Sequence, residues 1–180
     1  KNGYFDENDV SPKPGITIPE KITLDGAEYT VIGIFDQAFY MCDYTSITLP
    51  STITYMGSGA FMSSPSLEEV VIPDGVKSIG NDSFSYCESL ENINLPESIT
   101  EIGGNAFGGC SALKTVTLHE GITTLGYKAF GQCHSLKEVV IPKSLERCGS
   151  YSPFYKSENL VKVTFTEGIT KVIDNVCREL

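Results

Sequence analysis

The sequence predicts a repeat solenoid of short parallel strands, because three residue types recur with one period. Six of the nine phenylalanines lie 22, 23, 23, 23 and 24 residues apart. Four of the six alanines directly precede one of these phenylalanines, and five of the nine prolines follow the same apolar pair. A unit of about 23 residues cannot bury its own apolar side, so neighbouring copies must stack. The repeat phenylalanines are Phe39, Phe61, Phe84, Phe107, Phe130 and Phe154.

Composition excludes several other classes of protein. The chain has 180 residues, and its 13 Lys and Arg against 23 Asp and Glu give a net charge of −10. Its longest run of hydrophobic residues, at positions 38–42, is five residues, far short of the roughly 20 that span a bilayer, which excludes a transmembrane helix and hence membrane insertion. An ordinary apolar fraction of 41% argues against disorder. Nucleic acid is excluded as a partner because the chain has no basic run to neutralise phosphates.

The N-terminal region departs from the regular period. Residues 1–15, rich in proline and acidic side chains, are predicted to be an extended lead-in to a single domain over residues 16–180. The first strand-to-strand interval is 31 residues rather than 23, and the extra residues 24–31 contain Asp25-Gly26. An Asp-Gly pair between extended flanks is typical of a tight β-hairpin. We therefore expect a hairpin insertion here that helps to cap the solenoid.

Each regular unit contains two extended segments and a turn. In one copy Ile93 and Leu95 alternate with polar residues, which indicates a strand with one buried face, and Pro96 then ends its hydrogen bonding. A second short apolar segment follows and ends at Gly103. The Ala-Phe-x-x-Cys-x-x-Leu stretch, with apolar groups three residues apart, predicts a tight 3₁₀ or helical turn. Strands are expected at residues 16–18, 47–49, 70–72, 93–95, 116–118, 139–141 and 163–165.

Seven such strands would form a curved stack of about seven rungs. With parallel neighbours about 4.8 Å apart, the six intervals span roughly 29 Å. The last rung, residues 163–180, is degenerate, because Cys177 stands in the phenylalanine column and Ile173 in the glycine column. Terminal repeats must hide an otherwise open core. Residues 174–180 are therefore expected to form a capping turn or helix, unless the natural chain continues beyond them.

These positions together resemble the leucine-rich repeat family, and more closely its BspA-like branch, whose unit is similar to I-G-x-x-A-F-x-x-C-x-x-L-x-x-V-x-I-P-x-x-V. The resemblance covers roughly residues 16–177. It implies a right-handed superhelix in a bacterial cell-surface or secreted protein that adheres to host matrix proteins or other bacterial cells. It implies no catalytic residues. Departures are modest and consist of Ser64 and Ser157 for Cys, His119 and Thr166 for Pro, and Phe35 and Ile173 for Gly.

The six cysteines invite a disulfide framework, but their columns argue against one. Cys42, Cys87, Cys110 and Cys133 all lie three residues after a repeat phenylalanine, and Cys148 and Cys177 occupy other core columns. Side chains in one column of a stack point in parallel rather than toward each other. Buried free thiols that act as small hydrophobic groups are therefore expected. Zinc is not expected, because the chain has no C-x-x-C pair.

No motif predicts catalysis or a cofactor. The adjacent Cys133 and His134 suggest a hydrolase only weakly, because adjacent residues rarely present nucleophile and base to one substrate. Both histidines, His119 and His134, are expected at the surface. The glycine pairs at 103–104 and 108–109 lack the Lys-Ser/Thr of a phosphate loop. The acidic residues after the strands lack the close spacing of a calcium loop.

The remaining candidate site is the outward, concave face of the strands, which is free of core constraints and is the face that solenoids use for extended contacts. The expected function is non-catalytic binding or adhesion through contact with a protein or glycan partner. An equally open alternative is a solvated face with no ligand, which fits a structural spacer in a longer surface protein. A rim of tyrosines near the turns (residues 40, 44, 86, 127, 151 and 155) is a rival contact surface. Localisation is predicted as extracellular or cell-surface, with a signal segment upstream of Lys1. The predicted contact residues are Glu69, Val71, Asn92, Asn94, Thr115, Thr117, Glu138 and Val140.

Overall fold

The chain forms a parallel β-solenoid of about six turns, as the sequence predicts. A computed structural model describes residues 12–169 and 174–176. Within these ranges the regular elements are all strands. They are β1 (Ile16–Thr17), β2 (Lys21–Leu24), β3 (Ala27–Thr30), β4 (Gly33–Ile34), β5 (Ser46–Thr48), β6 (Tyr55–Met56), β7 (Glu69–Val71), β8 (Ser78–Ile79), β9 (Asn92–Ile93), β10 (Glu101–Ile102), β11 (Thr115–Val116), β12 (Thr124–Leu125), β13 (Glu138–Ile141), β14 (Arg147–Cys148) and β15 (Lys162–Phe165).

The first sheet contains the seven strands expected from the repeat, namely β1, β5, β7, β9, β11, β13 and β15. Their inward-facing residues are in register: Ile47 pairs with Val70, Ile93 with Val116, and Val139 with the half-buried Val163. Strand pairing is continuous in three groups, β1-β5-β7, β9-β11 and β13-β15. Seven successive strands are separated by six complete turns, so the strand count agrees with a solenoid of about six turns.

The second sheet comes from the short segments that precede the glycine column. Strands β8, β10, β12 and β14 pair in order with a constant register, and β4 pairs with β6 in the same direction. Between the two sheets the chain turns after proline; the amides of Ile53, Val76 and Ile99 each donate to the carbonyl of the proline three residues earlier. The proline therefore starts the corner as well as ending the strand.

The predicted N-terminal hairpin is present. Strands β2 and β3 pair antiparallel from Lys21 opposite Thr30 to Leu24 opposite Ala27. Asp25 and Gly26 form the two-residue loop with φ of 51° and 80°, and two left-handed residues are the signature of a type I′ turn. The paired strands begin three residues before the predicted insertion 24–31, because the residues before the Asp-Gly pair supply one arm.

The third side of each turn carries the repeat phenylalanine. Neighbouring rings are stacked in a continuous column with centroids 5.1 to 5.8 Å apart. Amides near the ring also bond the next rung, as when the Phe84 amide donates to the Ala106 carbonyl and the Phe107 amide to the Ala129 carbonyl. The predicted tight turns close through bonds between residues three apart, such as Cys87 N–H to Phe84 O at 3.1 Å. All three sides of the solenoid are therefore bonded between rungs.

The glycine column explains one departure from the repeat. A Cβ on Gly80 would lie 2.6 Å from the Gly57 backbone, and one on Gly126 would lie 2.2 Å from the Gly104 nitrogen. Each of these glycines therefore packs directly on the preceding rung. Phe35 is the first member of the column, and its side chain is 72% exposed.

Parts of the predicted lead-in (1–15) and of the degenerate rung (163–180), including Ile173 and Cys177, lie outside the described residues.

Candidate functional site

The candidate site is the outward side of the first sheet, called the strand face from here on. It comprises the exposed side chains of the seven strands and of the residue that precedes each strand. The side chains alternate: Glu69 and Val71 are exposed while Val70 between them is 5% exposed. The eight residues predicted from the sequence are all exposed and all lie on this face.

The predicted residues form two columns that cross neighbouring strands. Asn92 lies opposite Thr115, and the Thr115 hydroxyl donates to Asn92 Oδ1 at 2.9 Å. Glu138 lies opposite Lys162, whose ammonium is 3.0 Å from its carboxylate. Val71 and Val140 are 58% and 47% exposed, so apolar surface is available on both halves of the face.

A third column on the same face was missed by the sequence prediction. It contains the residues that follow the repeat leucine, directly before each strand. Their shared signal was visible in the sequence, because in five copies this position directly follows a leucine, and an apolar residue occupies it only at Val161. All five of these side chains are exposed, Val161 to 84%. The column reads Glu68, Glu91, Lys114, Lys137 and Val161.

The third column divides the strand face by charge. The N-terminal half carries Glu68, Glu69 and Glu91, while the C-terminal half carries Lys114, Lys137 and Lys162 with a single carboxylate, Glu138. The halves meet at an ion pair of 2.7 Å between Lys114 and Glu91. In a chain of net charge −10 this concentration of lysines is a local reversal of sign. These are exposed charges, which contribute more to recognition and association rate than to stability.

Two grooves coincide with the two halves. A groove of about 730 Å³ is lined by residues of the basic half, including Lys114, Lys137 and Lys162, together with His134 and Val161. A smaller groove of about 410 Å³ is lined by the carboxylates of the acidic half and by Val71. Volumes of several hundred Å³ are those of ordinary ligand sites. The strand face therefore has two grooves as well as a divided charge pattern.

The cysteine column is structural, as the sequence indicates. Cys87, Cys110 and Cys133 are buried free thiols, and Cys42 is a half-buried free thiol. Each buried thiol donates to the carbonyl of a phenylalanine in the preceding rung, at 3.2 Å for Cys87 to Phe61. Burial raises the pKa of Cys87 and of Cys133 to about 12 and that of Cys110 well above its usual value. A protonated, enclosed thiol is not a nucleophile, which removes the basis for a Cys133-His134 pair.

The histidines differ from each other. His134 is exposed, as expected. The expectation for His119 was wrong, because its side chain is only 7% exposed. Its Nδ1 accepts from the Gly121 amide at 3.1 Å and lies 3.3 Å from Glu97, while Nε2 is buried without a partner among the described residues. The ring takes the place of the proline that turns the corner in other rungs, so it packs inward rather than facing solvent.

The tyrosine rim is partly committed to internal contacts. The Tyr86 ring lies against Gly109 and the Tyr127 ring against Gly104, each in a neighbouring rung. The rings of Tyr151 and Tyr155 share one cation, since Lys128 Nζ lies 4.9 Å and 4.2 Å from their centroids. These tyrosines therefore help to hold rungs together, and the strand face is the less committed of the two surfaces.

Two features are absent from the described part of the chain, a membrane-spanning helix and a cluster of metal ligands. No helix in it is long and apolar enough to cross a membrane. No group of three or more His, Cys, Asp or Glu side chains in residues 12–169 and 174–176 is arranged to hold a metal ion.

Comparison with known families decides the assignment. Residues 20–88 and 54–179 match the BspA type leucine rich repeat region, with six copies of the repeat. The chain belongs to this family. No enzymatic family is indicated, and leucine-rich repeat solenoids of this kind are typically non-catalytic scaffolds for protein interaction. BspA-type proteins are usually surface or secreted proteins. Comparison with curated proteins gave no match.

Solved structures show the same fold. A leucine-rich repeat protein from Bacteroides ovatus is 36% identical, with a TM-score of 0.83 over 91% of this chain and 42% of its own. The pneumococcal vaccine antigen PcpA is 29% identical, with a TM-score of 0.74 over 88% of this chain and 42% of its own. The T. pallidum leucine rich repeat protein TpLRR is 28% identical, with a TM-score of 0.72 over 83% of this chain and 68% of its own. The chain thus spans less than half of the length of the first two of these proteins.

Proposed function

We propose that this chain is a non-catalytic binding module of a bacterial surface or secreted protein, and that its strand face contacts a protein partner. The carrying observation is the charge-divided strand face, which is exposed over seven strands although the core does not need its side chains. Charge complementarity directs which partner is accepted and how fast it associates. The partner is a host matrix protein or a protein on another bacterial cell.

The alternative is a spacer whose strand face contacts nothing. Against it, the acidic and basic side chains are segregated along the stack rather than interspersed, and two grooves follow that segregation. A face required only for solubility gains nothing from this order, because mixed charges serve solubility equally well.

Binding to arrays of purified matrix proteins and of intact bacterial cells tests the proposal. The variant Glu69→Lys with Glu138→Lys reverses two charges on the strand face. The control, Asp74→Lys with Glu167→Lys, makes the same change of net charge at exposed corner positions. We expect saturable binding whose affinity the first variant changes at least tenfold, because it alters the charge pattern of both halves of the strand face, while the control stays within about twofold of the wild-type chain.

Two results would contradict the proposal. The first is the absence of saturable binding to any matrix protein or cell. The second is equal binding by the strand-face variant and the wild-type chain, which would support the spacer.

A further inference from the structure

The basic half of the strand face contains a groove whose chemistry specifies a ligand. Its lining combines the ammonium groups of Lys114, Lys137 and Lys162 with amide and hydroxyl groups of Asn159 and Ser135. Its volume is about 730 Å³. Val161, 84% exposed, supplies an apolar wall. An extended chain rather than a compact ion fits a groove that crosses several strands.

The three lysines are not equivalent. Lys114 is paired with Glu91 at 2.7 Å, and Lys162 with Glu138 at 3.0 Å. Lys137 lies between them, and no ion pair to it is found among the described residues. Its neighbours in the column are one rung away, about 4.8 Å along the stack. A carboxylate placed there would contact Lys137 and approach Lys114, so the groove has a centre of uncompensated positive charge.

We propose that this groove binds an acidic peptide segment of the partner, with carboxylates on Lys137 and Lys114 and an apolar side chain against Val161. The inference rests on the proposed function and specifies its partner. The acidic half of the face, with Glu68 and Glu69 exposed, repels the same segment and so fixes where along the solenoid it lies.

The test measures binding of labelled peptides of about eight residues, which span roughly 26 Å when extended. One peptide alternates glutamate with leucine, and a second alternates lysine with leucine. Fluorescence anisotropy follows each titration at low and at physiological ionic strength, because salt screens exposed charges over about 8 to 10 Å. We expect the acidic peptide to bind, the basic peptide to bind at least tenfold more weakly, and the difference to shrink with salt.

The diagnostic variant is Lys114→Glu with Lys137→Glu. Its matched control, Lys77→Glu with Lys143→Glu, makes the same charge change at exposed positions outside the strand face. Circular dichroism confirms that both variants fold. The diagnostic variant should weaken binding of the acidic peptide at least tenfold, and the control should alter it by less than about threefold.

Three outcomes would overturn the inference: no measurable binding of the acidic peptide, equal losses in the two variants, or displacement of the peptide by inorganic phosphate at an equal concentration. The last would show a site for simple anions. The proposed function fails separately. If an array partner is lost with Glu69→Lys and Glu138→Lys but is bound normally by the Lys114→Glu, Lys137→Glu variant, the strand face is a binding face and only the acidic-peptide site is wrong.

Discussion

At the scale of single residues, the cysteine column shows that a residue's hydrogen bonds can matter as much as its apolar character. Two copies of the repeat carry serine instead, and Ser64 and Ser157 donate to Phe39 O and Phe130 O at 3.1 and 2.8 Å. The same two hydroxyls accept hydrogen bonds from the backbone amides of Cys42 and Cys133, the preceding members of the column, at 3.1 Å in both cases. Thiol and hydroxyl are therefore interchangeable as bridges between rungs.

This equivalence predicts different outcomes for two substitutions of similar size. Cys110→Ser keeps the donor to the Phe84 carbonyl, so the free energy of unfolding should change by less than about 0.5 kcal/mol. Cys110→Val keeps the apolar volume but removes this donor, and the buried carbonyl then keeps only the hydrogen bond from the Cys87 amide. Loss of one hydrogen bond of this kind should reduce the free energy of unfolding by about 1 kcal/mol.

Urea unfolding followed by circular dichroism measures both variants of Cys110 against the wild-type chain. Phe130 already receives its bond from a serine, so the variant Ser157→Cys provides a reciprocal control, expected to be nearly neutral. Equal stability of the serine and valine variants of Cys110 would show that the thiol acts only as a hydrophobic group.

At the scale of elements, the turns contain a feature that composition conceals. The residues two before and two after each of the first five repeat phenylalanines all adopt positive φ, from 51° to 75°, and only two of these ten residues are glycine. Asp82 and Tyr86 are examples, at 55° and 59°. A left-handed conformation costs a non-glycine residue about 1 to 2 kcal/mol. Each of these two amides bonds the next rung, to Gly104 O and Gly108 O, which offsets the cost.

These bonds between rungs explain what the sequence could and could not predict about the elements. The period of Phe, Cys, Pro and Gly was sufficient for the strands, the corners and the stacking order. The i to i+3 spacing correctly indicated tight turns, but the left-handed residues arise from bonds to the neighbouring rung. No local pattern marks Asp82 or Tyr86 for that conformation, so only the stacked structure reveals it.

The glycine column supports an element-scale prediction. Gly126 does not have positive φ, so it is required for space: a Cβ there would lie 2.2 Å from Gly104 N and 2.4 Å from Gly103 C, which are backbone atoms. Gly126→Ala should therefore separate two rungs and reduce the free energy of unfolding by about 2 to 3 kcal/mol.

Gly26→Ala provides the contrast, because Gly26 has open space around its Cα and only the left-handed φ of 80°. It should cost about 1 kcal/mol. Thermal unfolding by calorimetry distinguishes the two variants. If Gly126→Ala proved as mild as Gly26→Ala, close backbone packing between rungs would not be the reason for the column.

At the scale of the whole molecule, the candidate site was only partly predictable. Alternation along each strand placed Glu69, Asn92 and Glu138 on one face correctly. The column that divides this face by charge was missed, because Lys114 and Lys137 precede their strands and so lie outside the alternating pattern. His119 was misplaced for a related reason: a polar residue in a proline column was expected at the surface, although that corner packs inward.

The same one-dimensional architecture governs how stability is distributed. Each rung packs mainly on its neighbours, so end rungs have one packing partner and central rungs have two. Phe84 and Phe107 are stacked on both sides and fully buried, whereas Phe39 begins the column and is only partly buried. We therefore expect hydrogen exchange of the amide at Phe39 to be at least tenfold faster than at Phe84 and Phe107, whose amides bond the next rung.

Hydrogen exchange resolved by mass spectrometry or NMR measures this gradient under native conditions, where local opening of the end rungs is separable from global unfolding. The Phe39 amide also donates to the next rung, at 2.8 Å to Ala60 O. A difference in its protection therefore reports rung stability rather than the absence of a hydrogen bond. Identical protection at all three positions would mean that the solenoid opens only as a unit and that coupling between rungs exceeds the stability of each rung.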